Sequence, residues 1–226
     1  MKPGFTLPQK LALGSFWLSH LTFWFTLLLG MWLGNTPVCI PYISGCTSIT
    51  ATGIPELQGY FFRAGLISAC VLFVFWWYCL KSWLIQLAPA KPILTVRWMV
   101  SLGIVSSLCL IVATAVLRPD KSQLPWQLHT VGAALFFLIS LLVQTRVTFY
   151  LRALARQGID IGSSLPGKWR IIAAQWCFLL LMIGLQLSDS GNAAKNVVEW
   201  WMALLIGGYY LSSAQDWSHF RLTDAE

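Results

Sequence analysis

The chain has 226 residues, of which 57% are hydrophobic and only 10% are charged, and its formal net charge is +7. A soluble domain carries about 25% charged residues, so this composition excludes a water-soluble fold and predicts an integral multi-pass membrane protein with short loops. Most of the positive charge falls in loops on one side, and no basic run is interleaved with aromatic residues. We therefore expect no nucleic-acid partner.

Six apolar stretches are long enough to cross a bilayer, which takes about 20 residues of helix. We predict an all-α protein with a single membrane domain over residues 1–226. It is a six-transmembrane-helix bundle with spans at about 11–34, 60–87, 94–117, 126–150, 168–187 and 197–216. The first stretch is longer than the apolar core of a signal peptide and has no A-x-A site, so we expect it to be retained as a span.

The distribution of Lys and Arg predicts the orientation. On the side of the N-terminus lie Lys2, Lys10, Lys81, Lys91, Arg97, Arg146, Arg152, Arg156, Lys168, Arg170 and Arg221. On the opposite side lie Arg63, Arg118, Lys121 and Lys195. The positive-inside rule therefore predicts that both termini are cytoplasmic.

The first outer loop, about residues 35–59, is polar and rich in turn-forming residues. Cys39 and Cys46 both lie in it, and they either form a disulfide or remain two free thiols. The other four cysteines lie inside apolar stretches, where a thiol behaves as a small hydrophobic group.

Four ionisable residues occur near the predicted starts of spans two, four and six, namely Glu56, Arg63, His129 and Glu199. These spans all run inward, so their first turns share one depth in the membrane. Helix N-termini favour anions, and ionisable groups in spans are costly to bury without a role. We expect the four groups to converge at a level that suits a phosphate or carboxylate head group.

Each of these residues also has a structural interpretation. Glu199 is suited to stabilising the first turn of its own helix, and Glu56 to capping the helix that begins nearby. His129 is suited to bonding a neighbouring backbone group, and Arg63 to extending its charge to the surface. Asp216, at the end of span six, is expected to be interfacial.

A histidine beside a carboxylate is a candidate general acid/base pair, here His129 with Glu199. Ser44, Thr47 and Ser48 are hydroxyl groups available in the loop, but no G-x-S-x-G motif marks a serine nucleophile. The spacing typical of metal ligands is absent, so we predict neither a metal nor another cofactor.

Several short motifs resemble the FRAG/DRAM/SFK family along nearly the whole chain. They are P-Y-I-S at 41–44, G-I-P-E at 53–56, L-H-T-V-G-A-A-L-F-F at 128–137, V-V-E-W-W at 197–201 and Q-D-W at 215–217. That family includes damage-regulated autophagy modulators and factors for lipid remodelling of GPI anchors. The resemblance implies six membrane spans and a role connected with membrane lipids.

Two main hypotheses follow, and the sequence leaves open whether the protein is an enzyme. In the first, it binds and remodels a phospholipid or glycolipid at the outer leaflet. His129 is then the acid/base, Glu199 its partner and Arg63 the phosphate ligand, and Glu56, Ser44 and Tyr42 shape the pocket. In the second, it is a membrane scaffold or regulator whose polar residues lock the helices together. Transport is a third hypothesis, but it calls for charges near the bilayer midplane, where His20 is the one ionisable candidate.

Overall fold

The computed structural model describes residues 5–89, 93–118, 123–188, 190–218 and 220. The regular structure of these residues is helical throughout. Two short helices, α2 and α3, lie in the first loop, and the remaining helices are long. In chain order the helices are α1 (Leu7–Trp32), α2 (Pro41–Ser44), α3 (Ile49–Thr52), α4 (Glu56–Leu87), α5 (Ile93–Ala115), α6 (Gln123–Ala155), α7 (Leu165–Leu187) and α8 (Asn192–Asp216).

Each long helix coincides with one of the predicted spans. In the part of the chain that the structure describes, five of them, α1, α4, α5, α6 and α7, are long and apolar enough to cross a membrane. α8 has 25 residues, which is also a sufficient length. Its apolar content is lower because it carries Lys195 and Glu199 together with several Trp, Tyr, Gly and Ser residues. The six-span count and the cytoplasmic termini therefore remain predictions.

Four of the charges used to predict the orientation, Lys2, Lys91, Lys121 and Arg221, lie outside the described residues.

Side-chain contacts show that the long helices alternate in direction, so that the bundle has two distinct ends. At one end, Gln9 near the start of α1 donates from Nε2 to the carbonyl of Ala214 near the end of α8 (3.0 Å). At the other end, Asn35 after α1 donates to Gln58 near the start of α4 (2.9 Å). We call this second end the first-loop end, because α2 and α3 cover it.

An aromatic cluster fills the middle of the bundle. Trp76 and Trp77 of α4 are fully buried, and the ring of Trp76 lies 4.7 Å from that of Tyr210 on α8. Phe73, one turn earlier on α4, stacks on the same tyrosine at 4.7 Å between centroids. Such pairs contribute about 0.5–1.5 kcal/mol each beyond the burial of their area. α8 is therefore an inner helix of the bundle rather than a peripheral one.

The first loop is folded tightly against the start of α8. Cys39 and Cys46 form a disulfide with their Cα atoms 6.5 Å apart, so the first of the two alternatives for these cysteines is confirmed. Between them, Gly45 adopts a left-handed conformation at φ 59° and ends α2. Its carbonyl accepts a hydrogen bond from the side chain of Asn196 (2.8 Å), and the indole of Trp200 donates to the carbonyl of Thr47 (2.9 Å).

Candidate functional site

A cavity of about 800 Å³ opens at the first-loop end, between α6, α7, α8 and the segment that contains α3. His129 of α6 and Glu199 of α8 both belong to its wall. The same two residues also line a smaller inner cavity of about 50 Å³, which is otherwise mainly apolar. The structure therefore brings together the two residues that the sequence predicts as an acid/base pair, at the boundary between the two cavities.

Glu199 holds the first turn of α3. The first backbone N–H groups of a helix have no partner within the helix. In α3, the hydroxyl of Ser48 accepts the N–H of Ala51 (3.0 Å), and the carboxylate of Glu199 accepts those of Ile49 and Thr50. A carboxylate at this position also interacts favourably with the helix dipole. The predicted role of Glu199 in its own first turn is thus replaced by capping of a different helix.

His129 is buried, and both of its ring nitrogens have partners. Nδ1 lies 2.9 Å from the carbonyl oxygen of Ala113 on α5, and Nε2 lies 3.1 Å from the hydroxyl oxygen of Thr50. A carbonyl only accepts, so Nδ1 carries the proton, and Nε2 of the neutral ring is left to accept from the threonine. The tautomer of His129 is therefore fixed by its neighbours.

Thr50 is the residue that connects the predicted pair. Its side chain contacts His129, and its backbone N–H donates to Glu199. The side chain of Thr50 therefore connects α3 to α6, and its backbone N–H connects α3 to α8.

The cavity is polar at its outer end and apolar below. Asn192, Lys195 and Gln186 line the outer part, whereas Leu138, Leu179 and Met182 line the part that faces α6 and α7 further in. Among the described residues of its wall, Lys195 is the one lysine or arginine. A site with this division suits an amphiphile, with its head group at the polar end and its chains against the apolar side chains.

α6 and α7 form one side of this cavity in the halves of the two helices that lie at the first-loop end. The two helices are joined in their other halves, where Gln175 donates to Gln144 (2.9 Å) and the indole of Trp176 donates to Thr145 (3.1 Å). The buried residues of α7 are Lys168, Ile172 and Gln175, all in its first half. Beyond Trp176, Leu179, Met182 and Gln186 line the cavity. Phe178 stacks on Trp201 of α8 at 6.2 Å between ring centroids, and no residue of α7 after Gln175 is buried.

The other four predicted site residues lie outside the wall of this cavity. Arg63 donates to the carbonyl of Leu117 (3.0 Å), and its guanidinium stands 5.4 Å from the ring of Tyr60. Glu56 is exposed in the first turn of α4. Ser44 is exposed and donates to the carbonyl of Ile40 (3.0 Å). Their part in substrate binding stays a prediction.

Tyr42 packs among aromatic side chains on the loop side of α8. Its ring lies 5.3 Å from that of Trp200 and 5.4 Å from that of Trp201, and its carbonyl accepts from the indole of Trp201 (3.1 Å). Burial raises the pKa of its phenol to about 12, so the group stays protonated at neutral pH. In this position it anchors α2 to α8, and its predicted role in binding also stays a prediction.

A buried ion pair at the opposite end of the bundle was not predicted. Lys168 in the first turn of α7 and Asp216 at the end of α8 are joined at 2.8 Å, and each side chain is 1% exposed. The ammonium also donates to Ser212 (2.9 Å) and Ser164, and the carboxylate accepts the backbone N–H of Ser164 (3.1 Å). The carboxylate of Asp216 is therefore paired with a cation inside the protein, and its expected position at the membrane interface stays a prediction.

Two polar networks in the bundle interior were also not predicted, because they are formed by uncharged amide side chains. Gln58 is fully buried and donates to the carbonyls of Thr26 (3.0 Å) and Thr52 (3.2 Å). Gln144 and Gln175 form the second network. An amide in an otherwise apolar span is itself a signal, since it needs partners inside the protein. Across the described residues, no three His, Cys, Asp or Glu side chains gather as metal ligands would.

Comparison with known proteins agrees with the architecture. The family model for the Frag1/DRAM/Sfk1/Cwh43P N-terminal domain matches residues 9–220. No curated protein and no solved structure matches the chain. The match covers nearly the whole chain and confirms the resemblance seen in the motifs. Together with the long apolar helices, it makes the protein an integral multi-pass membrane protein, and the chain belongs to the Frag1/DRAM/Sfk1/Cwh43P N-terminal domain family.

Proposed function

We propose that the protein binds a membrane phospholipid or glycolipid in the cavity between α6, α7 and α8 and carries out an acid/base step on it. The observation that carries this proposal is the composition of the cavity wall. His129 and Glu199 lie where a polar outer end meets an apolar inner side. α7 has no buried residue beyond Gln175, so we place the entry of the lipid between α6 and α7. A lipid entering sideways would keep its chains in an apolar environment throughout.

The proposal includes the topology predicted from the sequence, with a single domain of six spans and both termini in the cytoplasm. In that orientation the first-loop end faces the lumen or the exterior, and the cavity lies at the level of the outer leaflet. The disulfide between Cys39 and Cys46 supports this side, because disulfides persist in oxidising compartments.

Within the site, Nε2 of His129 is the proton acceptor, since Nδ1 is occupied by the carbonyl of Ala113. Glu199 positions the α3 turn against the imidazole through its backbone contacts. Lys195 is assigned to the phosphate of the head group, a part that the sequence had suggested for Arg63. The family's link to remodelling of GPI-anchor lipids supports acyl-chain exchange as the reaction.

The test is lipid mass spectrometry of the gently purified protein, comparing wild type with His129→Ala, Glu199→Gln and Lys195→Met. We expect a recovered lipid class in the wild type and at least a roughly tenfold loss in Lys195→Met, corresponding to about 1.4 kcal/mol. Changes at the acid/base residues should stop turnover of that lipid while the protein remains folded. Wild-type protein without stoichiometric lipid, or with unchanged lipid in Lys195→Met, would contradict the assignment.

Lateral access is tested by a matched pair on α7. Met182 lines the cavity, whereas Leu180 is 64% exposed on another face of the helix. Met182→Trp should reduce the amount of lipid recovered, because the indole ring occupies the space between α6 and α7. Leu180→Trp should leave the amount of lipid unchanged. Equal lipid in the two variants would argue against the proposed route.

A second candidate function is that of a membrane scaffold or regulator of lipid organisation or autophagy-type trafficking. The observation that favours it is that His129 and Glu199 already have partners within the protein, so both serve to lock α3 in place. In that case His129→Ala would lower the unfolding temperature, and neither the wild type nor the variant would yield a bound lipid.

A further inference from the structure

Thr50 has a placement that the other hydroxyl groups of the large cavity lack. It lines both cavities, and its Oγ1 lies 3.1 Å from Nε2 of His129. Thr130, in the same wall, donates instead to the carbonyl of Trp126 within its own helix (2.9 Å). Thr47 donates to the carbonyl of Ser48 (3.3 Å). Among the described residues of this wall, Thr50 is therefore the hydroxyl bonded to a nitrogen base.

The direction of this hydrogen bond is set by the far side of the imidazole. Because Nδ1 donates to Ala113, Nε2 of the neutral ring has a free lone pair and Thr50 must be the donor. A hydroxyl that donates to a histidine, whose other nitrogen is held by an acceptor, has the arrangement that activates an oxygen nucleophile. The carbonyl of Ala113 orients the imidazole of His129 by accepting the hydrogen bond from Nδ1.

The backbone of Thr50 is fixed as firmly as its side chain. Its N–H donates to Glu199. Ser48 is the N-cap of α3, and its hydroxyl accepts the N–H of Ala51. α3 is further tied to α1, where Oγ1 of Thr26 lies 3.1 Å from Oγ1 of Thr52. A nucleophile placed on a restrained turn needs little reordering before it reacts.

We infer that Thr50 is the nucleophile of an acyl transfer, with a long-chain carboxylic ester of a membrane lipid as the substrate class. This inference rests on the proposed function, because it assumes that such a lipid occupies the cavity. Oγ1 of Thr50 forms a bond to the ester carbonyl carbon while its proton passes to Nε2 of His129. The ester C–O bond then breaks, and the alcohol leaves with that proton.

The result of this first half is a fatty acyl group on Thr50, a neutral His129 and a released lipid alcohol. In the second half, water or another lipid hydroxyl loses its proton to Nε2 and attacks the acyl carbon, and Oγ1 of Thr50 recovers the proton as it leaves. No oxidant or other co-reactant is required.

The experiment uses the full chain in lipid nanodiscs with 4-nitrophenyl palmitate as the probe. We expect a burst of nitrophenol stoichiometric with the protein, and a palmitoyl adduct located on Thr50 by peptide mass spectrometry. Thr50→Val keeps the shape of the side chain and removes the hydroxyl. It should reduce the rate of the nitrophenol burst by roughly 100-fold or more. Thr50→Ser should retain the adduct. The control is Ser82→Ala, which should behave as wild type because Ser82 lies outside both cavity walls and its hydroxyl donates to the carbonyl of Tyr78 within its own helix (3.2 Å).

Each outcome decides the inference. A wild-type burst that persists in Thr50→Val, an adduct on another residue, or no adduct in the wild type would overturn it. The lipid bound to Thr50→Val distinguishes failure of this inference from failure of the proposed function. If Thr50→Val and the wild type carry the same amount of lipid but no adduct forms, the protein binds lipid without the covalent step. If Thr50→Val does not fold, the position of the adduct in wild type and in Thr50→Ser still decides.

Discussion

The buried ion pair between Lys168 and Asp216 gives the most direct test of how the bundle is held together at the end opposite the first loop. Replacing Lys168 by Met removes the ammonium and keeps most of the apolar stem. Among the described residues, it leaves the carboxylate of Asp216, whose side chain is 1% exposed, with Ser164 as its remaining hydrogen-bond partner. Removing one member of a buried pair typically costs about 3–5 kcal/mol.

The same reasoning gives the expected free energies of unfolding for a double variant that lacks both charges and for a control on the same helix. Lys168→Met together with Asp216→Leu removes both charges, and it should recover most of the loss because no unpaired charge remains. Arg170 is exposed on the same helix, so Arg170→Met should change the free energy of unfolding by less than about 0.5 kcal/mol.

The measurement is equilibrium unfolding in mixed dodecyl maltoside and SDS micelles, followed by tryptophan fluorescence. At 3 kcal/mol the ratio of folded to unfolded protein falls by a factor of roughly 100 at a fixed detergent composition. The reasoning is refuted if Lys168→Met is no more destabilising than Arg170→Met, or if the double variant is as unstable as the sum of its single changes.

Two further predictions concern the first loop. Gly45→Ala should destabilise the protein by more than about 2 kcal/mol, because a Cβ there would stand 1.8 Å from the carbonyl oxygen of Ala193 and φ is 59°. Gly34→Ala also has a positive φ but open space around it, so it should cost only about 1 kcal/mol; equal unfolding temperatures would contradict the close contact. Reduction of the Cys39–Cys46 disulfide should lower stability by about 2 kcal/mol, seen as a lower unfolding temperature with reductant that a Cys39→Ser/Cys46→Ser variant does not show.

The positions of the long helices could be predicted well from hydropathy, but their ends could not. The predicted second and fourth spans are 60–87 and 126–150, whereas the helices are Glu56–Leu87 and Gln123–Ala155. An apolar run indicates only the part of a helix that lies within the hydrocarbon core of the membrane. Turns outside such a run depend on local features that hydropathy does not detect, as at the start of α1, where Thr6 and Gln9 form a reciprocal capping box.

The candidate site could be predicted only in part, for a similar reason. That His129 and Glu199 share one depth follows from the alternating direction of the helices, and the structure places both in one cavity wall. Thr50, which joins them, is one hydroxyl in a loop with several others, and nothing local distinguishes it. Its role depends on a partner 79 positions away, which hydropathy and motif spacing do not report.

The ion pair illustrates a different limit. Lys168 and Asp216 are each ordinary at a helix end. From the sequence, Lys168 serves only as a charge that predicts orientation, and Asp216 is expected to be interfacial. Antiparallel packing of α7 on α8 brings the start of one to the end of the other, and burial then requires them to pair.

The one-sided fastening of α7 has a mechanical consequence. With Lys168, Ile172 and Gln175 as its buried residues, this helix is held most firmly over its first three turns. Its second half contacts α8 through the stacking of Phe178 on Trp201 but contains no buried residue, so sideways excursions should be larger beyond Gln175 than before it. Bending of this kind would vary the width of the space between α6 and α7 while leaving the aromatic interior undisturbed.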